Sequence, residues 1–249
     1  MSLFKTSHAF SVILPLYKPS GNWANLFLEN IKELNALIPT ETTIKYIVVY
    51  DGLPSTDITG SFEKISASFS NISFLFYPKN MGKGYALRHG VKIADTPYTL
   101  ITDFDFPYKK ENIVELMNLL IEGNDIVVGK RSKTYFAHLP FKRKIISRLC
   151  VRLQKMFLDL PLYDTQSGIK GFNNSGKNIF LQTTINRFLI DTEFILRSSR
   201  KNCSIKQIDI ELESYVEFSN FGVKVIRTEM NNFLKLLYLN STLEKSSVL

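Results

Sequence analysis

The chain has 249 residues, of which 45% are hydrophobic and 12% aromatic, enough to build one large or two small domains with a substantial core. Its 31 Lys and Arg against 23 Asp and Glu give a net charge of +8, which favours a polyanionic partner (nucleic acid, anionic membrane or phosphorylated substrate) unless the lysines simply form a solvated surface. The sequence excludes a repeat or low-complexity protein, and no apolar run approaches the ~20 residues of a membrane-spanning helix.

The sequence carries no sign of secretion. Its two cysteines, Cys150 and Cys203, belong to no CxxC pair and have no neighbouring histidine cluster, a pattern typical of the reducing cytosol. The amino-terminal segment has one lysine and no cleavage-site pattern after its apolar run, so we expect no signal peptide. We therefore predict a cytoplasmic protein, with the inner face of the membrane as a candidate location.

Strands and helices alternate through the first half of the chain. Short apolar runs bounded by turns predict strands, and segments with apolar residues at helical spacing predict helices. The predicted strands are 9–17, 44–52, 72–78, 98–105 and 125–130, and the helices between them are 22–38, 57–69, 82–94 and 110–123. This alternation predicts an α/β fold whose parallel sheet is covered by helices on both faces.

Polar residues follow the predicted strands, at the edge where open α/β sheets bind ligands. They are Tyr17, Asp51, Lys79, Asn80, Asp103, Asp105, Lys130 and Arg131. Because the carboxyl ends of parallel strands meet at one edge, we expect these side chains to converge on one crevice.

The pattern changes after Arg131. Residues 141–160 predict a basic amphipathic helix, on which Arg148, Arg152 and Lys155 share one stripe at spacings of four and three. The rest of the chain predicts a loop leading into a strand (163–172), a helix (186–200), a strand (204–214) and a last helix (223–239).

The motif Asp103-Phe104-Asp105 ends the predicted fourth strand. Alternate side chains of a strand point the same way, so both carboxylates can face one ligand, and a divalent cation would remove their repulsion. Mg²⁺ takes one or two carboxylates together with water and phosphate oxygens, and Mn²⁺ prefers similar ligands. Two aspartates in an ordinary surface turn are the alternative, but the position at a strand end favours a metal site.

The segment "KNMGKG" places Gly82 and Gly84 around Lys83 at a helix start. Backbone N–H groups and the helix dipole favour an anion there. The spacing is neither a Walker A loop nor GxGxxG, so it indicates neither an ATPase nor a nicotinamide enzyme. A glycine-rich helix cap with solvated lysines fits the pattern equally well.

Three other acidic residues, Asp164, Asp191 and Glu193, are ambiguous from spacing alone. On a helix Asp191 and Glu193 diverge, so they do not form an acid–base pair, and salt bridging or capping would account for them. The three histidines are scattered and are interpreted as structural or surface residues.

Seven motifs in order resemble the family-2 glycosyltransferases with a GT-A fold, most of all the dolichyl- or polyprenyl-phosphate hexose synthase branch. The motifs are ILPLY, VVYDG, NMGKGYALRHG, ITDFDF, GKRS with FKRKIISRL, DTQSGIKGF and FLIDTEF, within residues 11–239. The resemblance implies one Rossmann-like GT-A domain over residues 1–240, with a mixed, mostly parallel sheet flanked by helices. Residues 9–131 would bind the nucleotide sugar, residues 132–240 would bind the acceptor, and residues 241–249 would form a polar tail.

The resemblance also implies roles for individual residues. Those expected at the nucleotide sugar are Pro15, Leu16, Tyr17, Asp51, Lys79, Lys83, Gly84, Asp103, Phe104, Gln166 and Ser167. Those expected at the acceptor phosphate are Arg131, Arg143 and Arg148. The expected catalytic set, in which the first two residues also bind Mg²⁺ or Mn²⁺, is Asp103, Asp105, Asp191 and Glu193.

The chain departs from the family pattern at three places. Tyr17-Lys18-Pro19 stands where the family has Tyr-Asn-Glu, so the expected carboxylate is absent. Tyr50 replaces the first Asp of Asp-Asp-Gly, and Pro107 occupies the position of a third metal ligand in some relatives.

The implied reaction moves a hexose from a nucleoside diphosphate sugar of the UDP-glucose or GDP-mannose type, with inversion at the anomeric carbon. A hydroxyl acceptor needs a base such as Asp191 or Glu193, whereas a lipid monophosphate, with a second pKa near ~6, is mostly a dianion at neutral pH. The basic helix therefore favours a polyprenyl phosphate acceptor and a peripheral approach to an anionic membrane.

Two alternatives stay open. Within the enzyme class, the acceptor is a hydroxyl of a cell-surface polysaccharide or glycolipid. In another class, the net charge marks a nucleic-acid-binding module, but no such motif is present and the basic residues coincide with the expected sugar-phosphate site, so we expect no nucleic-acid partner.

Overall fold

The computed structural model describes residues 7–19, 21–131, 141–162, 164–214, 216 and 223–246. Its strands are β1 (His8–Leu16), β2 (Thr42–Tyr50), β3 (Ile72–Phe76), β4 (Tyr98–Ile101), β5 (Ile126–Arg131), β6 (Lys170–Phe172) and β7 (Ile205–Ile210). Its helices are α1 (Trp23–Leu37), α2 (Thr56–Ser68), α3 (Lys83–Ile93), α4 (Lys110–Ile121), α5 (Phe141–Leu158), α6 (Asn174–Phe180), α7 (Ile190–Ser199) and α8 (Val223–Ser246).

The strands form a mixed, mostly parallel sheet in the order β3-β2-β1-β4-β6-β5-β7. β1 to β4 are parallel to one another where they pair, and β5 is parallel to β7. The three-residue strand β6 lies antiparallel between β4 and β5 and joins the two halves. The expected α/β sheet with flanking helices is therefore confirmed.

The alternation of side chains along β1 explains why helices cover both faces of the sheet. Phe10, Val12 and Leu14 point into a core formed with α1, α2 and α4. Ile13 points to the opposite face, into a core formed with α3, α6 and α7. Because both faces of β1 are buried, its sequence is continuously apolar, as expected of a central parallel strand.

The second half of the chain adds a third, smaller core. It joins α5, α7 and α8 through six buried hydrophobic residues, Leu158, Ile185, Leu189, Leu196, Phe233 and Leu236. In the part of the chain that the structure describes, no helix is both long and apolar enough to cross a membrane.

Several predicted boundaries were wrong. The fourth strand ends at Ile101 instead of residue 105, and the seventh ends at Ile210 instead of residue 214. The pattern did not predict α6, which begins at a cap where the Asn173 side chain accepts hydrogen bonds from the amides of Ser175 and Gly176. The last helix continues to Ser246, so much of the predicted polar tail is helical.

Candidate active site

The two acidic residues of the Asp-x-Asp motif lie in a turn beyond β4. The Phe106 amide donates a 3.0 Å hydrogen bond to the Asp103 carbonyl, and Phe106 has a positive φ of 46°. The argument that both carboxylates share one face of a strand was therefore wrong. The turn still follows the carboxyl end of a central strand, since the Thr102 amide bonds to the Ile13 carbonyl of β1.

The positive charge beside Asp103 is a lysine. Lys83, the first residue of α3, forms an ion pair with Asp103 Oδ1. Burial opposes the charge on Lys83, but Asp103, Asp191 and Asp105 outweigh it and raise the lysine pKa. Asp103 Oδ2 lies against the Cα of Gly168, where a Cβ would collide with it, so a side chain at position 168 would displace the carboxylate.

Asp105 is an exposed residue of the same turn and does not line the cavity described below. Desolvation by the surrounding protein and the nearby charge of Asp103 raise its pKa to about 6. Across the described residues, no group of three or more His, Cys, Asp or Glu side chains is placed to hold a metal. Two repelling carboxylates fit Mg²⁺ or Mn²⁺, which complete their shells with water and substrate phosphates.

Asp51, at the end of β2, is buried and saturated with hydrogen bonds. Its carboxylate accepts from the Tyr77 hydroxyl at 2.8 Å, the Asn80 side chain at 2.8 Å, and the amides of Met81 and Gly82 at 2.7 and 2.8 Å. Burial, and then the bond to Asp51, raise the Tyr77 pKa well above its ordinary value. The carboxylate thus fixes the loop that leads into α3, and its contact with a nucleotide stays a prediction.

The other residues expected at the nucleotide surround this loop and the end of β1. Leu16 is buried, Tyr17 and Lys79 are exposed, and Phe104 packs edge-on against Trp23 with ring centroids 6.3 Å apart. Pro15 belongs to β1 and pairs with Val49. The Gly84 amide donates a 2.9 Å hydrogen bond to the carbonyl of Asn186. The contacts of these residues with a nucleotide stay a prediction.

A cavity of about 400 Å³ begins at the ion pair and runs between α5 and α8. One part, which we name the polar end, is lined by Lys83, Asp103, Arg131, Gln166 and Asp191. The other part, the apolar end, is lined mainly by Leu149, Leu153, Phe188, Ile226, Met230 and Phe233. The Glu229 carboxylate also lines the cavity and accepts a 3.1 Å hydrogen bond from the Leu189 amide. Ser167 is buried beside the polar end and donates to the Ile169 carbonyl at 3.0 Å.

Of the arginines predicted for the acceptor phosphate, the two with described side chains differ in their relation to the cavity. Arg131 reaches the cavity, and its guanidinium binds the Asp164 carboxylate through two 2.7 Å hydrogen bonds. Arg148 is exposed on α5 and does not line the cavity. The side chain of Arg143 lies outside the described residues.

The structure places Asp191 and Glu193 in different surroundings. Asp191 lines the polar end, and its Oδ1 lies 2.7 Å from the ammonium of Lys170. Glu193 is fully buried and does not line the cavity. Its oxygens accept hydrogen bonds from the amides of Thr184 and Ile185, both at 2.8 Å, and from Arg197 at 2.9 Å. These contacts do not favour Glu193 as a base.

Lys170 is the site residue that the sequence analysis missed. Its side chain is 1% exposed, although it lies in the motif "SGIKGF" that the analysis had singled out. A lysine within an apolar strand rarely lies fully buried unless a carboxylate pairs with it, and that pattern was the available signal.

Comparisons with known proteins identify the family and the fold. The profile of glycosyl transferase family 2 matches residues 11–186. A dolichyl-phosphate beta-glucosyltransferase of Dictyostelium discoideum is 28% identical over 214 residues, which cover 80% of this chain and 65% of that protein. The chain therefore spans slightly less than two thirds of the length of this relative.

Two solved structures share the fold. Mannosyl-3-phosphoglycerate synthase of Rubrobacter xylanophilus superposes with a TM-score of 0.67 at 15% identity, covering 97% of this chain and 76% of the other. Glucosyl-3-phosphoglycerate synthase of Mycobacterium tuberculosis, in complex with Mn²⁺, UDP and glucosyl-3-phosphoglycerate, gives a TM-score of 0.57 at 16% identity, covering 90% and 79%. With the family profile spanning more than half of its length, this chain belongs to glycosyl transferase family 2.

Proposed function

We propose that the protein transfers a hexose from a nucleoside diphosphate sugar, of the UDP-glucose or GDP-mannose type, to a polyprenyl phosphate at a membrane surface. Family membership and the name of the Dictyostelium relative support transfer of a sugar to a lipid phosphate. The observation that carries the proposal is the cavity, because its polar end continues directly into an apolar end. An acceptor with a charged head and a hydrocarbon chain has the same two parts.

The donor side of the proposal rests on the polar end. Asp103 and Asp105 would hold Mg²⁺ or Mn²⁺, which when bound supplies positive charge to the departing diphosphate. The presence of Mn²⁺ and UDP in the mycobacterial fold relative supports this choice of ion. Lys83 lies at the start of α3, where its ammonium and the helix dipole favour an anion.

The acceptor side rests on what the described carboxylates can do. Glu193 is saturated with hydrogen bonds, and Asp191 is paired with Lys170, so neither residue presents the unpaired carboxylate expected of a general base. A phosphate dianion needs no base, whereas a hydroxyl does. Arg131 at the polar end would add positive charge near the acceptor phosphate.

Contact with the membrane would come from the outer surface of α5 and α8. Exposed hydrophobic side chains that do not line the cavity recur along both helices, at Ile145, Met156, Phe157, Leu234 and Tyr238. The sequence of α5 has no acidic residue, and Arg148, Arg152 and Lys155 are exposed on it. Apolar side chains flanked by cations suit the interface of an anionic bilayer, where each nearby cation contributes about 1 kcal/mol.

The experiment is a transfer assay with labelled UDP-glucose and GDP-mannose in the presence of Mn²⁺. Polyprenyl phosphate is the acceptor, and polyprenol of the same chain length is the matched control without the phosphate. We expect a labelled lipid product with polyprenyl phosphate and none with polyprenol. Product that forms only with hydroxyl acceptors, whether polyprenol or a glycan, would contradict the proposal.

A further inference from the structure

Lys170 lies at the centre of the sheet, where a charge is costly. It belongs to β6, the short strand between β4 and β5, and its side chain is 1% exposed. A buried ammonium is tolerated when it is paired and hydrogen-bonded. Its partners therefore indicate why a lysine occupies this position.

Two groups meet the Lys170 ammonium, and both belong to segments that build the polar end. Asp191 Oδ1 lies 2.7 Å away, at the first turn of α7. The Ser167 carbonyl accepts a 2.8 Å hydrogen bond from it, next to Gly168, which packs against Asp103. Lys170 also pairs with Ile101 in β4, two residues before Asp103. The Lys170 side chain thus links two of these segments, and its backbone pairs with the third.

This arrangement leaves one oxygen of Asp191 available to a ligand. Oδ1 is buried and lies 2.7 Å from the Lys170 ammonium as an ion pair, without the geometry of a hydrogen bond. Oδ2 is the oxygen that Lys170 does not contact, and no hydrogen bond within the described residues reaches it. Asp191 lines the cavity together with Lys83 and Asp103.

We infer that Lys170 is a positioning residue that holds the Asp191 carboxylate oriented so that Oδ2 accepts a hydrogen bond from a hydroxyl of the transferred sugar. The inference rests on the proposed function and adds to it a contact for the sugar, separate from the groups that would hold the nucleotide and the metal. Asp191 then recognises the donor sugar and does not act as a base, and Lys170 acts through Asp191.

The test compares sugar nucleotides with the same nucleotides lacking the sugar. Calorimetry in Mn²⁺ measures the affinities of UDP-glucose and UDP, and of GDP-mannose and GDP, for the wild type, Lys170→Met, Asp191→Asn and the double variant. We expect each single variant to lower the affinity ratio of sugar nucleotide to nucleotide by at least about tenfold, because a charge-assisted hydrogen bond to the sugar is lost. The affinity for UDP or GDP alone should not change.

The double variant separates positioning from folding. Because Lys170 acts through Asp191, the double variant should lower the ratio no further than Asp191→Asn alone. The double variant also removes both charges, so it should be more stable to urea than either single variant. If Lys170→Met does not fold, the affinity ratio of the double variant is compared with that of the wild type instead. A double variant with the wild-type ratio would overturn the inference.

Lys110→Met is the matched control. Lys110 is likewise buried and pairs with Glu213 at 2.8 Å, but it does not line the cavity. Its loss should reduce stability and leave the affinity ratio unchanged. An unchanged ratio in folded Lys170→Met overturns the inference alone, whereas a wild type that binds none of the four nucleotides overturns the proposed function as well.

Discussion

The polar end and the apolar end of the cavity are built in opposite ways. At the polar end, charges face charges of opposite sign, as in the pair of Lys83 with Asp103 and that of Lys170 with Asp191. These side chains are largely buried, and their positions are set by directional contacts.

The apolar end has more exposed side chains. Leu149 of α5 and Met230 of α8 are 51% and 49% exposed although both line the cavity, and Phe157 meets Phe233 edge-on at 6.5 Å between ring centroids. Contacts of this kind have no preferred direction. The difference teaches that the polar end is suited to ligands of defined geometry, such as a diphosphate and a sugar, and the apolar end to a chain of variable shape.

The largest expected effect comes from Asp105→Ala, two residues after Asp103 of the polar end. We expect the rate of transfer to fall at least about 1000-fold, because a metal supplies several kcal/mol of charge stabilisation and each ~1.4 kcal/mol is tenfold in rate. The measurement is the initial rate at saturating acceptor over a Mn²⁺ titration. Asp95→Ala removes an exposed carboxylate paired with Lys45 and should leave the rate unchanged. Turnover that persists in Asp105→Ala, or that ignores a chelator, would remove the metal assignment.

The next effect concerns the support of the polar end by Glu193. Glu193→Ala should lower the free energy of unfolding by about 3–5 kcal/mol, because it leaves Arg197 and the amides of Thr184 and Ile185 without their acceptor. Urea denaturation measures it, and Glu63→Ala, at an exposed position of α2, should change stability by less than about 0.5 kcal/mol. A fully stable Glu193→Ala that has lost transfer would instead indicate a direct role in the reaction.

A smaller effect is expected at the apolar end. Met230→Asp should reduce transfer to long-chain polyprenyl phosphate about 10- to 100-fold, because a carboxylate in an apolar wall must be desolvated when the chain binds. Donor affinity, measured by calorimetry, should stay unchanged. Leu26→Asp alters an equally exposed hydrophobic residue on α1 and serves as the control. Equal losses in both variants would show that the apolar end does not bind the acceptor.

The smallest effect is a pH dependence of stability in metal-free buffer. The folded protein raises the pKa of Asp105 to about 6, so it binds this proton more tightly than the unfolded chain does. The unfolding free energy therefore falls as pH rises from about 4 to about 6. Asp105→Asn has no carboxylate to ionise, so its unfolding free energy should not fall in this way. It should therefore become more stable relative to the wild type as pH rises over that range, by less than about 1 kcal/mol because the side chain is exposed.

Urea denaturation with chelator at pH 4.5 and pH 7.5 measures the difference. Asp209→Asn, which removes an exposed carboxylate paired with Lys130, is the control. A gain that is equal at both pH values would show that the two carboxylates of the motif do not repel each other in the folded state.

The alternation of elements in the first half was readable from the sequence because it depends on local pattern. Continuous apolar runs such as residues 9–17 are what a strand buried on both faces requires, and the helical spacing of residues 22–38 is what a helix with one buried face requires. The acidic motif after the fourth strand was found for the same reason. The turn that contains it was predicted wrongly as part of the strand.

The state of each candidate side chain was decided by the tertiary structure alone. Asp51, Glu193 and Asp191 look alike in the sequence, yet the first two are saturated with hydrogen bonds and the third presents an oxygen to the cavity. The pairing of Lys170 with Asp191 spans 21 residues of chain and requires β6 to insert between β4 and β5. Local pattern determined where strands and helices form, but burial and hydrogen-bond saturation depend on groups that only long-range packing brings together.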